Sequence, residues 1–311
     1  MSWLRMHAWS FLTLCAALSI GLALGAGPLQ GDTEPTRATH GPSSKKSLGE
    51  SGDPDVFREA VTRSAAEVLV GGRLQGAIIT LMVLPDAPPA AVSGLQDVIG
   101  QAGGDIAAVI QLAEDLIDPG NKTYVDSVAS SSAEGVPAVS DIPADDTYAR
   151  VGALLARAYV TSAQGVTPAL DDVAVDIDSE LQGSKLVTIE GDGSRRGSLV
   201  VVLTAGDNSG DELTEATHLI EAKLIAALGS SAQAVLVATT PGASEPGGLL
   251  DALAETAELD QLNVSALNDV DSAGGQIASV YALLATANGQ SGSWGVIDGE
   301  PVLPPGLTAP R

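Results

Sequence analysis

The chain holds one cysteine among its 311 residues, Cys15, and that cysteine sits inside an apolar N-terminal run. No intramolecular disulfide and no cysteine-based zinc site can therefore form. Histidine is almost as scarce: His7, His40 and His218 fall before the apolar run, in a polar stretch and on an expected helix, and they make no spaced ligand set. Aromatic residues supply only 3% of the chain, so a core has to come from the abundant Ala, Val and Leu between Gly-rich turns. Basic residues number 15 against 39 acidic ones, a net charge of −24, which repels phosphate backbones and excludes nucleic acid as a partner. With 45% hydrophobic residues the chain is nevertheless a folded one with a real core.

Phosphate-binding and hydrolytic signatures are missing as well. No GxxxxGK[ST] and no GxSxG occur. Gly191, Gly193 and Gly197 give GxGxxxG between two strand-like runs, whereas the dinucleotide fingerprint opens a helix; the spacing predicts a hairpin turn. His218 has no nucleophile partner in its sequence context, and the chain is not expected to be an enzyme. Copper(I) selects thiolate and thioether and copper(II) imidazole, yet past the leader only Met82, His40 and His218 are available. Met82 lies in a strand-like run and reads as core. No resident cofactor is expected.

What the sequence does have begins at its N-terminus. From 8 to 31 no residue is charged, and Trp9 to Gly27 is long enough to cross a hydrocarbon core. Arg5 precedes the run, so residues 8–27 are expected to contact the membrane with the remainder on the extracytoplasmic side. Small residues at Ala23, Gly25, Ala26 and Gly27 also suit a signal-peptidase site, leaving cleavage and retention both open. Residues 1–27 are thus a signal or transmembrane segment, and 28–55, rich in Pro, Gly, Ser and Thr, a flexible linker. An acidic domain over 56–297 follows, with a Pro-rich tail at 298–311 expected to be disordered.

The domain reads as α/β: a layered, parallel-sheet body with duplicated βαβ halves, roughly 56–165 and 166–297. AIITLMVL (77–84), a helical stretch to Ala102 and DIAAVIQL (105–112) make one βαβ unit. SLVVVLTA (198–205), a helix through 218–228 and AVLVATT (234–240) make the other, followed by a helix near Leu249 to Ala257. Such continuously apolar strands need both faces buried, as in a parallel sheet covered by helices. Asp145 to Val160 and Pro168 to Leu181 look helical and join the halves, Val264 to Leu267 adds a strand, and Ser272 to Ala287 a closing helix. Gly103-Gly104 and Gly229 are placed to end helices in the left-handed conformation. Asp145-Asp146 and the group Asp171, Asp172, Asp176 and Asp178 stand near helix starts, where a carboxylate caps free amides. Asp269 and Asp271 follow a strand, the place where open α/β sheets carry ligand sites, and are the candidate binding residues.

Three stretches resemble one family, the actinobacterial copper transport protein B family, MctB, channel-forming envelope proteins. The first carries Arg5, His7-Ala8, Ser10, Ala17-Leu18, Gly21, Leu24-Gly25 and Gly27, and the second Leu74-x-Gly76, Pro85-Asp86-Ala87 and Gly100-Gln101-Ala102-Gly103-Gly104. The third carries Asp269-Val270-Asp271, Gly275, Ile277, Ala282-Leu283 and Trp294-Gly295. The resemblance implies copper transport or homeostasis in the cell envelope, with copper as a transported ion and not a bound cofactor; the family is described at the outer membrane whereas a single apolar helix suits an inner one, so both membranes stay open. One apolar helix cannot enclose an aqueous pore, so a channel would require a homo-oligomer. A membrane-anchored scaffold or binding module is the alternative.

Overall fold

A computed structural model of the chain describes residues 53–162, 169–191, 193–207, 209–256 and 261–307. The expected membrane segment and nearly all of the linker lie outside the described residues. Among the described residues no helix is long and apolar enough to cross a membrane.

Helix α1 (Pro54–Val70) opens the domain; Asp53 caps it by accepting from the Asp55 amide, with proline at the first helical position. The first βαβ unit is β1 (Ile78–Val83), α2 (Pro89–Gln101) and β2 (Asp105–Leu112). A helical excursion follows: α3 (Glu114–Ile117), α4 (Lys122–Ser132), α5 (Pro137–Ser140), α6 (Thr147–Tyr159) and α7 (Asp172–Gly183). It returns as β3 (Val187–Glu190). The second unit is β4 (Leu199–Leu203), α8 (Glu212–Gly229) and β5 (Ala234–Ala238), continued by α9 (Leu249–Glu255), β6 (Val264–Leu267), α10 (Ala273–Ala287) and β7 (Ser293–Trp294).

These strands form one open sheet in the order β3-β2-β1-β4-β5-β6-β7, parallel except for β3 against β2. Alternate side chains of each strand enter opposite cores. Ile79, Leu81, Leu199, Val201 and Leu236 pack on the side of α1, α2 and α10, while Met82, Ile110, Val200, Val202 and Val237 pack on the side of α4, α6 and α8. Each such side chain contributes roughly 1.5–3 kcal/mol, which is why the strand sequences show no polar alternation. The body is a three-layer α/β/α domain, as the apolar runs require.

Two sequence expectations change. β3 and β4 are not a hairpin: β3 borders β2 at the sheet edge and β4 borders β1 at its centre, so residues 191–198 cross between them. Gly191 and Gly193 have positive φ in this crossing (95° and 56°). Gly197 serves close approach, since a Cβ there would lie 2.4 Å from the Thr80 amide nitrogen. Thr80 fastens the crossing by donating to the Tyr159 carbonyl (2.9 Å) and accepting from the Gly197 amide (3.0 Å). Pairing partners are chosen across the whole sheet, so adjacency in sequence misleads here. Gly103 does adopt the left-handed form (φ 81°) after α2. Gly229 instead stays in α8 as its last residue, where a Cβ would come within 2.7 Å of Val264 Cγ2.

Candidate functional site

The strand order reverses between β1 and β4, so their carboxyl ends open the crevice where doubly wound sheets take ligands. The loop after β1 reads Leu84-Pro85-Asp86-Ala87-Pro88-Pro89. Exposed Asp86 ties the two halves together, accepting from Thr204 Oγ1 (2.6 Å) and the Gly206 amide (2.8 Å) beyond β4. Beside it Thr240 Oγ1 donates to Asp207 Oδ1 (2.6 Å).

Along the same edge, Asp269 and Asp271 follow β6. Asp269 accepts from Ser272 Oγ (2.7 Å), and burial pushes its carboxyl above the usual range against that bond, with Asp271 and Glu59 reinforcing the shift. Asp271 is exposed. Ser272 caps α10 through the Gly275 amide (2.9 Å), and Glu59, reaching across from α1, accepts from the Ala273 amide (2.9 and 3.1 Å). The amides that a doubly wound sheet offers to phosphate are therefore already occupied. α2 starts with Pro88 and Pro89, which have no N–H, Asp211 caps α8 through the Leu213 and Thr214 amides, and Glu59 with Ser272 fills α10. The rim is acidic and suits cations.

Behind the rim lies a pair the sequence reading missed. His218 and Glu221 on α8 are buried, 4% and 2% exposed, with Nδ1 3.0 Å from Oε2. Burial alone would push the His218 imidazole down, but the Glu221 hydrogen bond and charge, the Asp207 carbonyl and Asp86 hold it above its ordinary value. Burial raises Glu221 as well, opposed by the His218 bond and aided by Asp86. The pair retains its proton to higher pH than either group in water. Its signal in the sequence is His-x-x-Glu, one helical turn apart.

Three carboxylates of the two acidic clusters hold structure. Asp171 caps α7 through the Ala174 amide (2.9 Å) and pairs with Arg157 (2.8 Å) and Arg196 (3.4 Å). Asp178 accepts from the Tyr159 hydroxyl (2.7 Å). Asp146 stands at the start of α6 but caps nothing with its side chain, pairing instead with Lys223 of α8 (2.8 Å). A shallow groove of about 1120 Å³ between α6 and α8 includes Arg157, Lys223 and Asp146 among its lining residues. Its charges are thus spoken for within the chain, and it lies on a helix face away from the carboxyl ends of the strands.

For copper as cargo the donor set is thin in this region. Met82 is fully buried in β1, and His218 Nδ1 is engaged by Glu221. Among the described residues no group of three or more His, Cys, Asp or Glu is arranged to hold a metal ion. Met1, Met6, His7, Cys15 and His40, the other soft or imidazole donors, all precede residue 53.

Fold and edge together define a doubly wound α/β protein whose ligand-side amides are closed by its own carboxylates, hydroxyls and prolines. The chain belongs to the family described as copper transport outer membrane protein, MctB, which it matches over residues 1–305. Relatives called copper transporter MctB, from Mycobacterium bovis and two strains of Mycobacterium tuberculosis, are each 26% identical over 303 residues, covering 92% of this chain and 93% of the relative.

Proposed function

We propose that the chain is a copper transport or copper homeostasis protein of the cell envelope that limits intracellular copper. The observation that carries this reading is similarity running almost end to end along both this chain and its relatives, through the N-terminal segment as well as the domain. The leader supports the placement: an uncharged run behind Arg5 delivers an acidic domain to the extracytoplasmic side. Both faces of the sheet are covered by helices of the same chain, which supports a reading in which this domain is not the lipid-facing wall of a pore. Its part is to gather cations at the rim, where Asp86, Asp207, Asp269 and Asp271 raise local cation concentration, and to support whatever passage the N-terminal segments form.

A membrane-anchored binding module without transport activity is the second reading, favoured by the commitment of Met82 and His218 to the interior. Deleting the gene and measuring cell-associated copper and growth under copper stress tests transport. We expect copper accumulation and heightened sensitivity, both reversed by the intact gene. Unchanged copper content and growth would remove the transport reading.

A further inference from the structure

The two βαβ halves meet between β1 and β4, and Asp86 ties that corner shut. It bonds Thr204 and the Gly206 amide from across the crevice, but as an exposed carboxylate it does so in competition with water. Its backing comes from α8. His218 is buried there within reach of the Asp86 charge, and Glu221 lies one turn further along. Glu221 also borders a cavity of about 10 Å³ whose other walls include Met82, Leu84, Val202 and Leu224. A void of that size has scarcely room for one water, so a bare carboxylate cannot be rehydrated in place.

Asp86 faces His218 from the loop after β1, and the Asp207 carbonyl faces it from the loop after β4; both favour a proton on the ring. Among the described residues, the other charges on the elements packed against α8 turn elsewhere. Arg150 and Arg157 of α6 go to Asp126 and Asp171, and Asp118 goes to the Gly120 amide, with Tyr148 under its influence. Glu114, Asp115, Asp251 and Glu255 are exposed, as are Glu212 and Glu215 of α8 itself, whose Lys223 pairs with Asp146. With its proton, the pair presents a cation to Asp86. Without it, Glu221 and Asp86 are two carboxylates on either side of a neutral ring, and the buried one has lost the charge that offset its desolvation.

We propose that His218 and Glu221 form a proton-operated latch on this crevice. While the proton is held, α8 and the turn from Thr204 to Asp207 stay closed on Asp86. When it passes to solvent, this corner opens locally: Asp86 releases Thr204 and the Gly206 amide, and water reaches Glu221. The histidine binds its proton more tightly closed than open. The latch is therefore fully engaged below the open value of about 6.5 and is lost as pH rises through the closed one.

Amide hydrogen exchange at single-residue resolution, on the full chain in detergent micelles, tests this, with each rate divided by its intrinsic value at that pH. Protection of the Gly206 amide is expected to be level below about pH 6.5, to fall about tenfold per pH unit above it, as release of one proton requires, and then to level again. Dilute urea is expected to leave Gly206 exchange nearly unchanged, because a local opening exposes little surface, while accelerating exchange of the Val235 amide, buried in β5 and bonded to the Asn263 carbonyl (2.8 Å). His218→Gln, which cannot titrate, is expected to abolish the slope. Asp86→Asn, an exposed change, is expected to lower Gly206 protection about tenfold near about pH 6, the effect of one lost charge-assisted bond. A flat Gly206 profile, equal urea dependence at Gly206 and Val235, a slope that survives His218→Gln, or wild-type protection in Asp86→Asn overturns the latch. If the His218→Gln chain does not fold, the wild-type profile and Asp86→Asn decide alone.

Discussion

His218→Ala is expected to cost about 3–5 kcal/mol, because it leaves Glu221 buried without its partner. Set against total stabilities of roughly 5–15 kcal/mol, that brings the domain close to unfolding. The loss should also depend on pH. The folded pKa of His218 is raised, so its contribution is fully present below the unfolded value of about 6.5 and is lost as pH rises through the folded value. His218→Ala should therefore be most damaging near about pH 5, where the contribution of the histidine is fully present, and less so near about pH 8. Urea midpoints of the two proteins at both values measure this. A difference that is small, or larger at the alkaline value, would show that the pair is not an interior proton-holding unit.

Gly275→Ala is the second large effect. Gly275 lies in the first turn of α10, and a Cβ there would sit 1.7 Å from the Asp269 carbonyl oxygen and 2.3 Å from its carbonyl carbon. That neighbour is backbone and cannot rotate away. The carbonyl also accepts from the Ser272 amide (3.1 Å), so relief of the overlap dismantles the turn that holds Asp269, Ser272 and the cap of α10. Overpacking ordinarily costs about 1–3 kcal/mol, and an overlap this severe with main chain places the cost at or beyond the upper end. Thermal unfolding should show a depressed midpoint, whereas Gly274→Ala, whose nearest contact is 3.6 Å away, should be tolerated. Equal midpoints for the two variants would contradict the geometry.

Much of the fold was legible because its signals are local. Strands β4 and β5 are uninterrupted apolar runs and β1 and β2 are broken only by Thr80 and by Asp105 and Gln111, and Gly103 marks the end of α2 by its left-handed turn. Asp269 and Asp271 were legible as a strand-end pair, and they do lie on the carboxyl edge of the sheet. The antiparallel placement of β3 was not legible, because its partner β2 is separated from it by five helices and nothing in Val187–Glu190 names that edge. Asp86 was visible only as part of a Pro-Asp-Ala motif; its bonds to Thr204 and Gly206 join residues 118 and 120 positions apart. His218 and Glu221 were hidden differently. A histidine and a glutamate one turn apart on a helix ordinarily lie on a solvated face, and only the packing of α8 onto the sheet shows them turned inward.

This member of a copper transport family carries a helix-covered open sheet, and we propose that its contact with lipid is confined to the segment before it. Residues 53–311 produced without the leader test it most directly by solubility and far-ultraviolet circular dichroism. The account predicts a protein that stays in aqueous buffer without detergent and shows mixed helix and strand. A product that needs detergent to remain in solution and shows a mainly β spectrum would contradict it.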